Sequence, residues 1–588
     1  MQRRRRTSVT GLGLAKSLAP ALLWAGLGSA VHAQTPPRVV PPPGSPLPGI
    51  VPQEAPNLGR PLARPAAPVA PNVAAEGTTH PVSTVSVEGV TAFPDSAVAP
   101  LTANLVGPAI GENQAEAARR ALVDLYRSKG YVYTTVRAVF DQDRLLFRVT
   151  EGAIVDVKIE PEGDVGPVGT QVLRFLNHLK GLKPLSSAEL ERWLLLAQDI
   201  PCLTVQSVLN PSEGDPGELT LIAKVTRKKY SGLVSADNRA FPLTGPAEGL
   251  AVLNFDSFSE YGERTQLSLF GAFNETNVFG QVSEELYLGG SGLKLKVYGG
   301  IGVANPSGDL KAIGYSGATR VLGGQLTYPW LMARNQRLNL VAALDATESE
   351  ITNQPGSATT SSRVSYDSLR ILRLGADYDL LDQVLGGGVN SVSGRFSQGL
   401  PILGALNNGD PNTSARQGEK IDFSKLSGEL TRTQTLAEFP DGRSFKLRES
   451  FGGQFTGDLL PPSEKYYLGG PHFNSGYYFG QVSGDKAATV SSELQYNFPL
   501  PTPRQVPFEL RSQVYLFYDY GVVWQSGLAN GSNVALKSAG GGVRLFAGAT
   551  AELDLEGVYR MSLYPNGQSA GSSPLDSAAF YWQLLYRF

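Results

Sequence analysis

Residues 229–588 alternate between apolar and polar side chains in one short segment after another, and this pattern constrains the fold more than any other feature. In Leu372–Tyr378 and Val490–Phe498, apolar residues dominate every second position, and the positions between them include Arg373 and Glu493. This is the periodicity of an extended strand. A charged second face suits a barrel with lipid outside and water inside. At roughly 20–24 residues per strand and connection, the region predicts a transmembrane antiparallel β-barrel of about 16 strands.

The final segment, Phe580–Phe588, carries the same pattern in its most apolar form. One face contains Phe580, Trp582, Leu584, Tyr586 and Phe588. At the end of a soluble chain such a strand would be an aggregation-prone edge, and a strand that closes a transmembrane barrel explains it better. On this segment alone, a buried strand of a soluble β-domain stays an open alternative.

Composition limits the other classes of function. After the N-terminus, no apolar run reaches the roughly 18 residues of a membrane-spanning helix, which argues against a helical membrane protein. The net charge of -2 gives no sign of nucleic-acid binding. Cys202 is the single cysteine, so no intrachain disulfide can form.

The N-terminus has the pattern of a secretory signal peptide. A basic run, Arg3–Arg6, precedes an apolar segment, Leu18–Leu27, and Val31–Ala33 resembles a cleavage site, which predicts a signal peptide at 1–33. Residues 34–79 are rich in proline and alanine and predict an extended linker. Whether a plug helix lies within this linker stays open.

Two segments, 80–153 and 154–229, predict small α+β modules. The first predicts a strand, a helix over Asn113–Lys129, and two strands, Tyr131–Phe140 and Arg144–Val149. The second predicts the same order with two helices, Gly169–Leu179 and Ser187–Ala197, and Ser186 with Glu189 forms a capping box before the latter. The shared order of elements indicates a tandem repeat.

Two motifs in the barrel region stand out. The segment 467–485 is rich in glycine and aromatic residues, which permits a compact excursion of the chain, although an ordinary extracellular loop would also fit. In the strand around Phe517–Gly521, the alternation places Phe517 and Asp519 towards the lumen. A lumenal aspartate can be simply hydrated, or it can tether a loop that folds inwards.

With these segments the chain resembles the TpsB-type two-partner secretion transporters, which include haemolysin secretion and activation proteins and are related to the barrel-assembly protein BamA. The resemblance covers residues 80–588. It is carried by Gly130-Tyr131, Glu151-Gly152, Leu190–Leu196, Asp199-Ile200-Pro201, Ala236-Asp237-Asn238 and the two barrel motifs. It implies a polypeptide-binding POTRA module at 80–153, a second at 154–229, and a transmembrane β-barrel at 230–588.

The resemblance also implies function and site residues. The chain would export a large TpsA-like partner polypeptide through the outer membrane without a cofactor, and would contact outer-membrane lipid and the barrel-assembly machinery. The pore loop and the strand motif that it touches would comprise Gly469, Gly470, Ser475, Gly476, Tyr477, Gly480, Asp485, Phe517, Asp519 and Gly521. Phe588 would be the barrel-assembly signal. The alternative is a BamA-type assembly factor for outer-membrane proteins or lipid.

Two residues depart from the family pattern. The family usually has arginine at the pore-loop tip, where this chain has Ser475, so the expected ion pair with Asp519 cannot form in the usual way. Ser475 could donate a neutral and weaker hydrogen bond to Asp519. Three alternatives stay open: another cation substitutes, the loop is held differently, or the transport activity is reduced. The family generally has glycine where this chain has Cys202, which is expected to be a buried, inert thiol.

Enzyme motifs are weak. Gly567–Gly571 matches the pattern around a hydrolase serine, here Ser569, but it lies in a polar hairpin and no histidine follows it. The four histidines, His32, His80, His178 and His472, are scattered, so no metal site is expected. We therefore expect no enzymatic activity.

Overall fold

The computed structural model describes residues 58–59 and 79–588, apart from 213–216, 246, 355–359, 411–415, 504–507, 527–531 and 566–573. The predicted signal peptide, almost all of the predicted linker, and Ser569 lie outside the described residues.

The first module has two helices. Its elements are β1 Thr79–Val82, β2 Thr84–Glu88, α1 Asp95–Thr102, β3 Gly107–Gly111, α2 Glu112–Ser128, β4 Thr135–Asp141 and β5 Arg144–Thr150. The sheet has the order β2-β5-β4, and β1 pairs with β3. Helix α2 buries Ala115, Ala118, Leu122 and Tyr126, which recur at the three- to four-residue spacing of one helix face.

One prediction for this module was wrong, and one helix was not predicted. Helix α1 is short and has Pro100 inside it, and of its residues only Val98 and Thr102 are buried. The predicted strand from Tyr131 begins at Thr135 instead, because the backbone N–H of Tyr131 donates to Tyr126 at 3.0 Å and closes the end of the preceding helix.

The second module repeats a strand, two helices and two strands. Its elements are β6 Ala153–Pro161, α3 Gly169–Leu176, α4 Ser187–Gln198, β7 Leu203–Pro211 and β8 Glu218–Arg227. The sheet has the order β6-β8-β7. The hydroxyl of Ser186 accepts from the backbone N–H of Glu189 at 3.1 Å, which caps α4, and the predicted helix to Leu179 ends in a turn of 3-10 helix over Asn177–Leu179.

A closed antiparallel barrel of 16 strands follows and confirms the predicted fold class. Its strands are β9 Tyr230–Asp237, β10 Glu248–Asp256, β11 Arg264–Ala272, β12 Asn277–Tyr287, β13 Lys294–Ala304, β14 Ser316–Met332, β15 Gln336–Asn353, β16 Ser362–Asp382, β17 Gly388–Gly399, β18 Ser424–Glu438, β19 Ser444–Thr456, β22 Lys486–Pro499, β23 Leu510–Trp524, β24 Asn533–Ala547, β25 Ala551–Arg560 and β26 Ala578–Arg587. A helical turn, α5 Asp309–Ala312, precedes β14, and the short strands β20 Tyr466–Leu468 and β21 Val482–Gly484 pair with each other outside the barrel sheet.

The alternation of side chains along these strands matches the two faces of the barrel. Leu267, Leu269 and Phe273 are exposed on its outside, as are Leu516 and Tyr518. No helix among the described residues is long and apolar enough to span a membrane.

The barrel closes where β26 pairs with β9, and this seam is short. Backbone register runs only from Gln583 opposite Asp237 to Arg587 opposite Leu233. Beyond Arg587, Phe588 and Gly232 exchange backbone hydrogen bonds of 3.0 and 3.1 Å. A Cβ at Gly232 would lie 2.5 Å from the ring of Phe588, so the close approach of the ring requires glycine there.

The second module docks on the turns at the end of the barrel where the chain enters it. Arg174 of α3 pairs with Glu260 at 2.7 Å, and Asp199 pairs with Arg337 at 2.8 Å. The rings of Phe175 and Tyr287 meet edge to face, with their centroids 5.2 Å apart. Ion pairs and apolar contacts together fix the orientation of this module at the barrel mouth.

A buried carboxylate holds the first module together. Glu151 accepts hydrogen bonds from the backbone N–H groups of Thr91 at 2.8 Å and Ala92 at 3.1 Å, from the hydroxyl of Tyr126 at 2.6 Å, and from the hydroxyl of Thr91. Burial opposes ionisation of Glu151, but these hydrogen bonds outweigh it and lower the pKa below its ordinary value.

We predict that Glu151→Gln destabilises this module by about 1–3 kcal/mol, because it removes the charge from several hydrogen bonds. The pKa of Glu151 is lower in the folded module than its ordinary value of 4.5, so the stabilisation is present above that pH and is lost as the pH falls through the folded-state pKa. Hydrogen exchange of the α2 amides in the full chain measures the effect. The exposed Glu88→Gln is the matched control, and equal exchange in the two variants would contradict the prediction.

Candidate functional site

The loop between β19 and β22 folds into the barrel and forms the candidate site. We call residues 457–485 the pore loop and residues 473–478 its tip. The strands β20 and β21 pair to make the stem of the pore loop. The tip is buried against strands β23 to β25: Asn474 and Tyr477 are fully enclosed, and the hydroxyl of Tyr477 donates to the backbone oxygen of Lys537 at 2.7 Å.

The tip reaches the strand motif through its main chain. The backbone N–H of Ser475 donates to Asp519 Oδ2 at 2.7 Å. Asp519 is fully buried on the lumen side of β23. A hydrogen bond to a charged acceptor is stronger than one between neutral groups, so this carboxylate holds the tip although Ser475 has replaced the expected arginine.

Gly521 and Gly476 let the loop and the wall approach closely. A Cβ at Gly521 would lie 2.2 Å from Asn474 Oδ1 and 2.7 Å from Leu468. A Cβ at Gly476 would lie 2.6 Å from the Cβ of Ser538 and 2.7 Å from Val558. The absence of a side chain at each position is therefore a condition for the seated loop.

Arg239, just after β9, is a site residue that was not predicted from the sequence. Its Nη1 donates to the backbone oxygen of Ser475 at 2.7 Å, and its Nη2 donates to Glu556 at 2.7 Å. Its guanidinium carbon lies 4.3 Å from the ring centroid of Tyr581. The side chain is buried, so the lumen encloses a paired cation beside the tip.

Arg560, at the end of β25, is a second cation at the tip. Its Nε donates to the backbone oxygen of Gly476 at 2.5 Å, and its Nη2 donates to the hydroxyl of Tyr581 at 2.6 Å. The cations that hold the tip thus come from the barrel wall and act on loop carbonyls, whereas the family pattern places the cation on the loop.

The parts of the pore loop before and after the tip form ion pairs of their own. Glu464 accepts from Arg373 of β16 at 2.8 Å and pairs with Lys425 of β18 at 2.8 Å. Asp485 pairs with Arg416 at 2.7 Å and also accepts from the backbone N–H groups of Leu460 and Ser526. Burial would raise the pKa of Asp485, but these hydrogen bonds keep it below its ordinary value.

The structure brings most of the predicted site residues together. Ser475 binds Asp519, and Gly521 of the same strand lies against Asn474 of the tip. Gly476 and Tyr477 pack instead against Ser538 and Lys537 of β24, and Phe517 is buried on the lumenal face of β23. Gly469 and Gly470, both with φ of 107°, and Gly480, with φ of 67°, lie at bends beside the tip. Asp485 lies at the base of the loop, and Phe588 lies at the seam.

Cys202 lies at the junction of the second module and the barrel. Its φ of 53° falls in the left-handed region, which explains why glycine suits this position in the family. The thiol is half-buried rather than buried, and Arg264 Nη2 lies 3.8 Å from its sulfur. Burial raises the pKa of Cys202, which disfavours the reactive thiolate.

Comparison with known proteins finds relatives for both parts of the chain. Residues 302–545 match the family described as haemolysin secretion/activation protein ShlB/FhaC/HecB, and residues 80–152 match the ShlB-type POTRA domain. The heme/hemopexin transporter protein HuxB of Haemophilus influenzae is 23% identical over 376 residues. That alignment covers 61% of this chain and 61% of HuxB, so the chain matches less than two thirds of the relative's length.

Two solved structures are similar in fold. CdiB from Escherichia coli has a TM-score of 0.68 at 17% sequence identity, covering 89% of this chain and 94% of that one. CdiB from Acinetobacter baumannii has a TM-score of 0.61 at 17% identity, covering 88% and 91%.

A closed 16-stranded barrel that follows two small α+β modules defines an outer-membrane protein with periplasmic POTRA modules. The barrel lies in the outer membrane and the modules lie in the periplasm. The two family matches, together with the shared fold, support a protein of the TpsB two-partner secretion type.

We predict that Gly521→Ala unseats the tip, because the new Cβ would overlap Asn474. The expected result is more frequent opening of the purified barrel in a planar lipid bilayer. Gly394→Ala is the matched control, since a Cβ there meets nothing within 4 Å. Equal opening of the two variants would contradict the role of Gly521.

Proposed function

We propose that this chain exports a large partner polypeptide, such as a haemolysin or an adhesin, from the periplasm to the cell surface. The observation that carries the proposal is the pore loop, which lies inside a barrel whose mouth bears a docked periplasmic module. A loop that is held in the lumen by hydrogen bonds and ion pairs can leave the lumen and return, whereas the hydrogen-bonded strands of the barrel wall stay in place. Movement of the loop would open the path for an extended chain.

The two modules would hold the unfolded cargo before transport. In the first module β4 is an edge strand, and in the second β7 is one. An edge strand offers unpaired backbone groups to which an extended peptide can add as a further strand. We propose module boundaries of 80–153 and 154–229 and a barrel from 230, so that cargo passes from the modules directly into the barrel.

The energy for export would come from folding of the cargo outside the cell, because the sequence carries no nucleotide-binding loop. The name of one relative, heme/hemopexin transporter protein, makes an exported protein of haem acquisition a cargo class to test beside haemolysins and adhesins. We further propose that the chain has no enzymatic activity. Lipase and protease assays that compare wild type with Ser569→Ala test this, and activity lost in the variant would refute it.

We predict that deletion of residues 80–229 abolishes export of the co-encoded exoprotein, because the barrel then has no site that gathers unfolded cargo. Secreted and periplasmic cargo are measured by immunoblot, with the amount of inserted barrel as control. Normal export by the truncated barrel would sink the proposal. General loss of outer-membrane proteins on depletion of the full chain would favour the alternative, a BamA-type assembly factor.

We also propose that Phe588 is the barrel-assembly signal. Deletion of Phe588 should lower the amount of protein inserted in the outer membrane several-fold, because it removes the terminal aromatic residue that the assembly machinery would bind. The heat-modifiable, folded form is measured by gel mobility. Insertion at the wild-type level would argue against this role.

A further inference from the structure

Arg239 lies between the tip of the pore loop and the seam at which the barrel closes. It follows β9, the first strand of the barrel, and it faces the lumen. Towards the loop, its guanidinium donates to the oxygen of Ser475, and its own backbone oxygen accepts from the N–H of Phe479 at 3.4 Å. Towards the wall, it pairs with Glu556 of β25 and stacks on Tyr581 of the last strand.

The backbone pairing of the seam stops two residues before Arg239. The last register pair is Asp237 with Gln583. Next, the side chain of Asn238 replaces the ladder: its Nδ2 donates to the oxygen of Phe580 at 3.0 Å, and its Oδ1 accepts from the N–H of Trp582 at 2.8 Å. Arg239 is the following residue. Beyond Asp237, the seam is therefore closed by the side chains of Asn238 and Arg239 and by the tip that Arg239 binds.

We propose that Arg239 is a positioning residue that couples the seating of the pore loop to closure of the seam between β9 and β26. The same guanidinium binds the tip and packs on the last strand. Withdrawal of the tip removes a partner from this buried cation, and separation of β9 from β26 removes Tyr581. Each movement therefore makes the other easier, and a seated loop favours a closed seam by the same factor by which a closed seam favours a seated loop.

The ordinary explanation is that Arg239 is one more ion-paired residue of the lumen. Arg544 provides the comparison, because it has similar chemistry and different neighbours. It pairs with Glu493 at 2.7 Å and Asp554 at 3.1 Å and stacks on Tyr515, with a carbon-to-centroid distance of 3.8 Å. All these partners lie on barrel strands, whereas Arg239 joins the first strand, the last strand and the tip.

The test crosslinks the seam with a disulfide and measures how often the pore opens. Ser235 and Leu585 face each other across β9 and β26, and both are buried. Opposed residues in an antiparallel ladder have Cα atoms about 4.5–5.5 Å apart, which suits a disulfide. Cysteines at these two positions, in a Cys202→Ser background, form a bond that oxidation closes and reduction opens. Opening of the pore is recorded in planar bilayers without cargo.

With Arg239 present, oxidation should lower the opening frequency several-fold, and reduction should restore it. Arg239→Gln should raise the basal opening frequency several-fold and abolish the effect of oxidation. Arg239→Lys should retain part of the effect of oxidation. Arg544→Gln should respond to oxidation as the double-cysteine protein with Arg239 intact does. The proposal is overturned if oxidation has no effect with Arg239 present, or has the same effect in Arg239→Gln. If Arg239→Gln fails to insert, the comparison of oxidised with reduced protein in the presence of Arg239, together with Arg239→Lys, still tests the proposal.

The inference rests on the proposed function only in treating the pore loop as the gate. Bilayer opening needs no exoprotein, so a failure of coupling is distinguishable from a failure of export. A protein that exports cargo but shows no link between seam and loop would refute the inference alone.

Discussion

The main chain of the pore-loop tip is held by charged side chains of the barrel wall, and the closed state of the lumen depends on this interaction. Asp519 accepts from the N–H of Ser475, while Arg239 and Arg560 donate to the oxygens of Ser475 and Gly476. In an enclosed lumen each of these charges needs its partner, because a buried ion left unpaired costs about 3–5 kcal/mol. The loop and the wall therefore stabilise each other.

The same interaction explains how the chain tolerates serine at a position where the TpsB-type family usually has arginine. A loop-borne arginine would act through its side chain, whereas here backbone groups of the loop meet cations placed on β25 and just after β9. Such a tip depends on the close approach of its main chain to the barrel wall. Gly476 of the tip and Gly521 of β23, where no side chain fits, permit that approach.

Much of this architecture is predictable from the sequence, because strand periodicity is a local property. Alternation placed Phe517 and Asp519 towards the lumen, where both are buried, and the neighbouring Leu516 and Tyr518 are exposed on the outside of the barrel. Arg239 and Arg560 could not be predicted in the same way, because they bind backbone carbonyls of a distant loop, and a carbonyl leaves no signature in the sequence. The pairing of Glu464 with Arg373 depends likewise on the three-dimensional path of the loop. Helix α1 was not predicted because it spans only 8 residues and has Pro100 inside it, which leaves too short a segment to show a helical period.

Export through this barrel requires the tip to leave its seat so that cargo can pass. The direct measurement places cysteines at Ser475 and Asp519, whose backbone nitrogen and carboxylate are 2.7 Å apart, in a Cys202→Ser background. Export of the co-encoded exoprotein is then compared with export by each single-cysteine variant. We expect the crosslinked double variant to insert normally but to retain its cargo in the periplasm, while both single variants export it. Normal export by the crosslinked protein would show that the tip need not move.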